Sequence, residues 1–327
     1  MFDEGTRRVL VLGGTAWLGR EVARAAVAAG AEVVCLARGV SGTVPDGARL
    51  VVADRTRPDA YAALDGEWDD VVELAHEPEL VEPALGALAD RAHHWTLVSS
   101  VSVYRDHDAP DADESAAVVE PVDLADYAQA KVAAERATAA ALGERLHVVR
   151  PGLIAGPGDP SDRFGYWPAR LLRGGQVLTP TIPGRYVQVI DVADLAAWVL
   201  DAGVRGVSGV VDAVGDAHPL ADVLGDIATA AGFGGGLVPA DDAWLLAHDV
   251  RYWAGPRSLP LWLPAEMSGM SRRSNAAFRA GGGRVRPLAD TIGRVLEDER
   301  ERGLDRARRS GLTAAEERSL LADLAAR

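Results

Sequence analysis

The chain has 327 residues, enough for about two domains or one large α/β domain with an appendage. Apolar residues make up 48% and charged residues 25%, which excludes a mostly disordered or fibrous chain. The net charge is −14, and an acidic surface repels phosphate backbones, so neither nucleic acid nor an anionic membrane is an expected partner.

The single cysteine, Cys35, allows no intrachain disulfide and no cysteine cluster, and no metal is expected. The first residues lack the basic-then-apolar pattern of a signal peptide. No apolar run approaches the ~20 residues of a membrane span. The expectation is a soluble, cytoplasmic protein. Of the 34 basic residues all but Lys131 are arginine, and asparagine occurs once, at Asn275. Any chemistry that needs a lysine therefore falls on Lys131.

In chain order, Arg8–Leu12 is an apolar run that reads as a buried strand. It leads through Gly13–Gly19 into an alanine-rich helix over 20–29, which Gly30 stops. Glu32–Ala37 reads as a second strand and completes a βαβ unit. Further strands are expected at 50–53, 70–74, 95–98 and 146–149, mostly separated by helical stretches. That alternation predicts a parallel sheet covered on both faces. Residues 156–186 are rich in glycine, proline and aromatics. A strand at 187–190 and a helix follow, and the chain ends in a helical stretch at about 313–326. The predicted fold is α/β: a doubly wound Rossmann sheet over 1–155 plus about 187–215, with a smaller interleaved substrate domain over about 156–186 plus 216–327.

The first βα turn reads G-x-x-A-x-x-G. Gly13 permits the tight turn, Gly19 lets the helix pack against the sheet, and the free amides at the helix start suit a pyrophosphate. Ala16 stands where another glycine often does. The second strand ends in Leu36-Ala37-Arg38, with no acid to take the ribose 2′-hydroxyl of NAD. Arg38 instead suits the 2′-phosphate of NADP, which is the expected cofactor, with NAD the alternative. Asp54 and Arg55 either edge the adenine or close a strand-end turn.

Tyr127 and Lys131 stand at i, i+4 and project from one helix face. A phenol has an ordinary pKa near 10, and an adjacent ammonium favours the phenolate, so the pair reads as an acid/base and its tuning cation. Upstream, Ser99-Ser100-Val101-Ser102-Val103-Tyr104 leaves the end of a strand, where ligands of parallel sheets bind.

The G-G-T-x-W-L-G loop, S-S-x-S-V-Y, Y-x-x-x-K, R-P-G-L-I-A-G-P and I-D-V-A-D-L-A together resemble the extended short-chain dehydrogenase/reductase family, the superfamily of NAD-dependent epimerases and dehydratases. The resemblance covers at least residues 8–200. It implies a nicotinamide cofactor and a catalytic set of Ser100, Tyr127 and Lys131, with Ser99 and Ser102 as alternatives for the serine. The implied cofactor contacts are Gly13, Thr15, Ala16, Trp17, Leu18, Gly19, Arg38, Asp54, Arg55, Ala75, Tyr127, Lys131 and Pro151. The asparagine of the family's wider tetrad has no counterpart. A homodimer paired through helices near 85–92 and 127–142 is a further implication.

Val101 and Ser102 stand where sugar-nucleotide dehydratases carry an Asp-Glu pair. Leu153–Pro157 lacks the Asn and Tyr usual in nucleotide-sugar epimerases. What remains resembles an NAD(P)-dependent oxidoreductase acting on the alcohol or carbonyl of a small molecule. The alternatives are an epimerase with transient oxidation and a non-catalytic NADP-sensing regulator. Candidate substrate contacts are Ser102, His76, Arg163, Tyr166 and Trp167. Phe164, Trp244, Trp253 and Trp262 either wall the pocket or fill a core, and Arg185 is a second candidate for a substrate anion.

Overall fold

A computed structural model describes residues 6–327. The first half runs β1 (Arg8–Leu12), α1 (Trp17–Ala28), β2 (Glu32–Ala37), β3 (Ala48–Val52), β4 (Trp68–Glu73), α2 (Pro78–Leu88), β5 (Ala92–Val98), α3 (Tyr127–Leu142) and β6 (Leu146–Pro151). Then follow β7 (Leu153–Ala155), α4 (Tyr166–Leu172), β8 (Gln176–Pro180), β9 (Tyr186–Asp191), α5 (Val192–Arg205) and β10 (Gly209–Ala213). The remainder holds β11 (Ala217–Pro219), α6 (Leu220–Ala231), β12 (Gly236–Ala240), α7 (Asp242–Ala247), β13 (Arg251–Trp253) and β14 (Ser258–Pro260). Three helices close the chain: α8 (Ala276–Ala280), α9 (Leu288–Arg302) and α10 (Ala314–Ala325).

Seven strands form one parallel sheet in the order β10-β6-β5-β4-β1-β2-β3. These strands are nearly continuous apolar runs because both faces are covered. Val22, Ala23 and Ala26 of α1 join Leu195, Val199 and Ala202 of α5 on one face. Val81, Leu85 and Leu88 of α2 join Ala134 and Leu142 of α3 on the other. The strand order reverses between β1 and β4, and the crevice outside their carboxyl ends is where such sheets bind ligands.

The second core gathers Phe164, Trp167, Leu178, Leu224, Ile227, Trp262 and Val295 from segments on either side of the sheet's last strand. The strand at 186–191 departs from expectation: β9 pairs with β7 and β11 in a separate three-stranded sheet, so only α5 and β10 return to the large one. The C-terminal helix starts at a capping box, in which Thr313 and Glu316 satisfy each other's backbone amides.

A buried polar chain ties the two halves. Arg150 on β6 clasps the Glu135 carboxylate of α3 at 2.9 and 2.6 Å and donates to the Tyr104 hydroxyl at 2.9 Å. Tyr104 donates to Asp212 of β10 at 2.7 Å, and Asp212 accepts from Arg273 at 2.6 Å. The Arg273 guanidinium also lies 3.4 Å over the Tyr104 ring. Each charge has its counterion, without which its burial would cost several kcal/mol.

Candidate active site

Two clefts meet at Ala16 and Leu74, above the switch point. The first, about 400 Å³, is walled by the residues that follow β1, β2, β3 and β4, among them Gly13, Thr15, Arg38, Asp54, Ala75 and His76. Gly13 has φ +100°, a conformation that favours glycine. A Cβ at Gly19 would collide with the Gly13 carbonyl, so glycine is what allows α1 to start so close to β1. Ala16 caps α1 with no side-chain hydrogen bond, which leaves the helix's first amides to a ligand. Arg38 is exposed and makes no hydrogen bond or ion pair among the described residues. Its charge, after the hydrogen bonds from Thr56, helps to hold the Asp54 carboxyl below its ordinary value. An uncapped helix start, a cleft of this size and an unengaged arginine at the end of β2 fit a dinucleotide.

Two expected cofactor contacts are placed otherwise. Arg55 lines this cleft, but its guanidinium is clamped to the buried Glu73 carboxylate and to the Leu80 carbonyl. It is a wall of the cleft held in place by an internal ion pair. The Trp17 indole turns away from both clefts and donates to the Pro157 carbonyl at 2.8 Å, pinning α1 to the loop after β7.

The second cleft, about 350 Å³, lies past the carboxyl end of β5. Leu18, Gly19, Ser99, Ser100, Ser102, Tyr127, Lys131, Pro151 and Arg163 all line it. Asp126 caps α3 by accepting from the Gln129 amide, and this fixes Tyr127 in the first turn with Lys131 one turn on. The Lys131 Nζ donates to the Val98 carbonyl at 2.7 Å and reaches the Leu74 carbonyl at 3.4 Å, joining the ends of β5 and β4. The ammonium lies 5.9 Å from the centre of the Tyr127 ring. Burial pushes the Lys131 pKa down to about 8, against the pull of Glu73, Glu77 and Glu135.

The Ser102 amide donates to Ser100 Oγ at 3.1 Å, and Ser100 Oγ donates to Ser102 Oγ at 3.1 Å, so both hydroxyls face the cleft as a pair. Tyr127 and Ser100 line the cleft together, and the Ser100 hydroxyl acts on the phenol. Tyr127 is 48% exposed, and His76 meets its ring edge-on at 5.0 Å. Desolvation holds the phenol above its ordinary value, while the Ser100 hydrogen bond and the Arg163 charge oppose the rise. The net direction is upward in the free protein, opposite to the lowering expected from Lys131.

The substrate side also departs from expectation. Tyr166 and Trp167 are 1% and 0% exposed and belong to the second core; the Trp167 indole donates to the Pro260 carbonyl at 2.8 Å. Phe164 and Trp262 are buried with them, and Trp244 stacks on His248. Trp253 alone of these aromatics lines the cleft. Arg185 is spent on Asp242, at 2.5 and 2.6 Å. Gln188, Met270 and Ser271 also line the cleft, and nothing in their local sequence marks them.

The chain matches the model of the NAD dependent epimerase/dehydratase family over residues 9–215, and it belongs to that family. A 2′-dehydrokanamycin reductase of Streptomyces kanamyceticus is 48% identical over 63 residues, which span 19% of this chain and 18% of that relative. Solved structures share the fold. A protein from Burkholderia cenocepacia J2315 described as an epimerase superposes with a TM-score of 0.71 at 23% identity, covering 90% of this chain and 98% of that one. RMD from Pseudomonas aeruginosa, complexed with NADPH, gives 0.66 at 20% identity over 91% and 100% of the two chains. The UDP-glucose 4-epimerase of Thermus thermophilus, in complex with NAD, gives 0.63 at 19% identity over 90% and 99%.

Proposed function

We propose that the protein is an NADP-dependent oxidoreductase that interconverts an alcohol and a carbonyl on a small organic molecule. The observation that carries this reading is the convergence of the Tyr127 phenol, the Ser100 hydroxyl and the buried Lys131 ammonium at the switch point of the sheet. Gly13, Thr15, Ala16 and Gly19 would hold the pyrophosphate, Arg38 the 2′-phosphate and Lys131 the nicotinamide ribose. The nicotinamide supplies the hydride.

Ser100 and Tyr127 donate hydrogen bonds to the substrate oxygen and polarise the carbonyl. As negative charge develops on that oxygen, Tyr127 gives up its proton to it, and the Arg163 charge steadies the phenolate left behind. A phenol held above its ordinary value keeps its proton throughout the neutral range, which suits an acid. An ammonium has three donors, and two lie on main-chain carbonyls, so Lys131 retains one for a ribose hydroxyl.

The test is binding and turnover with each cofactor. NADPH that exchanges freely between turnovers supports reduction. NAD that stays bound through turnover would replace this reading with epimerisation, and tight NADPH binding without turnover would replace it with sensing. Lys131→Arg keeps the charge and uses the residue that serves everywhere else in the chain. The wider planar guanidinium cannot serve two carbonyls and a ribose from one point, and turnover is expected to fall roughly tenfold or more.

A further inference from the structure

We propose that Arg163, stacked over Trp253, is an oxyanion subsite, and that the molecule reduced in this cleft carries a carboxylate or a phosphate close to its carbonyl. The inference rests on the oxidoreductase reading and names its substrate class.

The first support is charge. The whole chain carries −14, yet the residues lining the substrate cleft include two cations, Lys131 and Arg163, and no carboxylate. Lys131 is committed to the Val98 and Leu74 carbonyls, and Arg163 is not committed. Its Nε donates to Ser161 Oγ at 3.1 Å, and neither Nη meets an acceptor among the described residues. The acid that acts on it, Asp159, spends its oxygens on the Ser161 amide and hydroxyl at 2.8 and 2.9 Å and makes no ion pair with it. Burial pulls the guanidinium below its ordinary value, and Arg163 lines the cleft, so folding leaves a half-buried cation there with both Nη groups unpaired among the described residues. A planar oxyanion matches that fork at two points.

The second support is the plate beneath it. The guanidinium carbon lies over the Trp253 ring, 5.3 Å from its centre and within cation–π range. Trp253 has φ 65°, a left-handed conformation rare for so bulky a residue. Asp249, Arg257 and Leu261 around it are left-handed as well, at φ 57°, 55° and 68°. Such residues persist where the surrounding structure holds them, and they cluster at ligand sites. The β13–β14 pairing and a Trp253 amide bond to the Trp262 carbonyl at 3.0 Å hold this one.

The third support is position. Arg163 and Tyr127 line the same cleft of about 350 Å³, so an anion bound at Arg163 shares that cleft with the proton-transferring hydroxyl. A polycationic aminosugar would meet two positive charges there and no carboxylate in the cleft lining.

The experiment uses matched ketones with NADPH: 4-oxopentanoate against its methyl ester, dihydroxyacetone phosphate against dihydroxyacetone, and aminoacetone as the cationic arm. The expected result is a higher kcat/KM for one or both anionic members, with the pair that responds identifying carboxylate or phosphate. Arg163→Gln should cut the anionic-to-neutral ratio roughly 10- to 100-fold, the worth of a charge-assisted hydrogen bond. Arg163→Lys should restore part of that ratio, and Trp253→Leu should lower it. A ratio unaltered by Arg163→Gln, or a preference for aminoacetone, overturns the subsite. If no ketone is turned over, the oxidoreductase reading fails by itself. The subsite is then judged by calorimetric titration of inorganic phosphate and acetate into the NADP⁺-saturated protein: heat lost in Arg163→Gln supports it, and equal heat in both proteins overturns it.

Discussion

The cleft on one side of Ala16 takes its walls from four short runs, each directly after one of the strands β1 to β4. The cleft on the other side draws on segments from residue 16 to residue 271, including Ser100, Lys131, Arg163, Gln188 and Trp253. The first is a product of the sheet: once strand order is set, the loops arrive together. The second depends on the packing of the interleaved half, which brings together Arg163 and Trp253 from distant parts of the sequence. The charges differ as well. The nucleotide side mixes Arg38 and Arg55 with Asp54, Glu77 and Glu79, whereas the substrate side carries cations alone. A shared scaffold can therefore hold one half of a reaction constant while the other half is rebuilt.

The largest expected effect falls where the clefts meet. Tyr127→Phe removes the proton donor and keeps the ring, and turnover should drop roughly 10²–10⁴-fold with cofactor affinity nearly intact. Steady-state kinetics beside a cofactor titration checks this; an equal loss of cofactor binding would blur the line between the clefts. Next comes a change that separates the second core from the second cleft. Trp167→Ala empties a fully buried site and should cost about 3–5 kcal/mol in denaturant unfolding. A stable Trp167→Ala protein with altered substrate choice would return that residue to the cleft.

On the nucleotide side, Arg38→Asp should shift the ratio of NADPH to NADH affinity by roughly 10- to 100-fold toward NADH, measured by direct binding. An unchanged ratio removes the 2′-phosphate from Arg38. The smallest effect is a pH slope. Lys131 titrates at about 8 in the folded chain against an ordinary 10.5, so between those values the unfolded chain holds the extra proton. Stability should rise with pH across that window by roughly 1–3 kcal/mol, and Lys131→Met should lack the rise. Parallel slopes for the two proteins would contradict a buried ammonium.

What the sequence revealed follows the same division. The β1–α1–β2 unit and the i, i+4 placement of Tyr127 and Lys131 are local patterns, and each is read within a few residues. The fate of Arg55 depends on Glu73, and that of Trp167 on Pro260, 93 positions later. An aromatic-rich loop looks the same whether its rings face a ligand or each other. The strand at 186–191 was visible as a strand, but its apolar alternation does not say which sheet it joins. The Arg150–Tyr104–Asp212–Arg273 chain is hidden in the sequence for the same reason, since its members come from four distant segments.

The near-absence of lysine has a practical consequence. An amine-directed acylating reagent finds one side-chain target in the whole chain, and that amine sits between the two clefts, deprotonating near pH 8. Acylation at Lys131 is thus a built-in occupancy reporter: a dinucleotide that covers the ammonium shields it, and a compound bound elsewhere leaves its labelling rate unaltered. Affinities for cofactors and their fragments are therefore measurable by mass spectrometry on the unmodified protein, before any substrate is in hand.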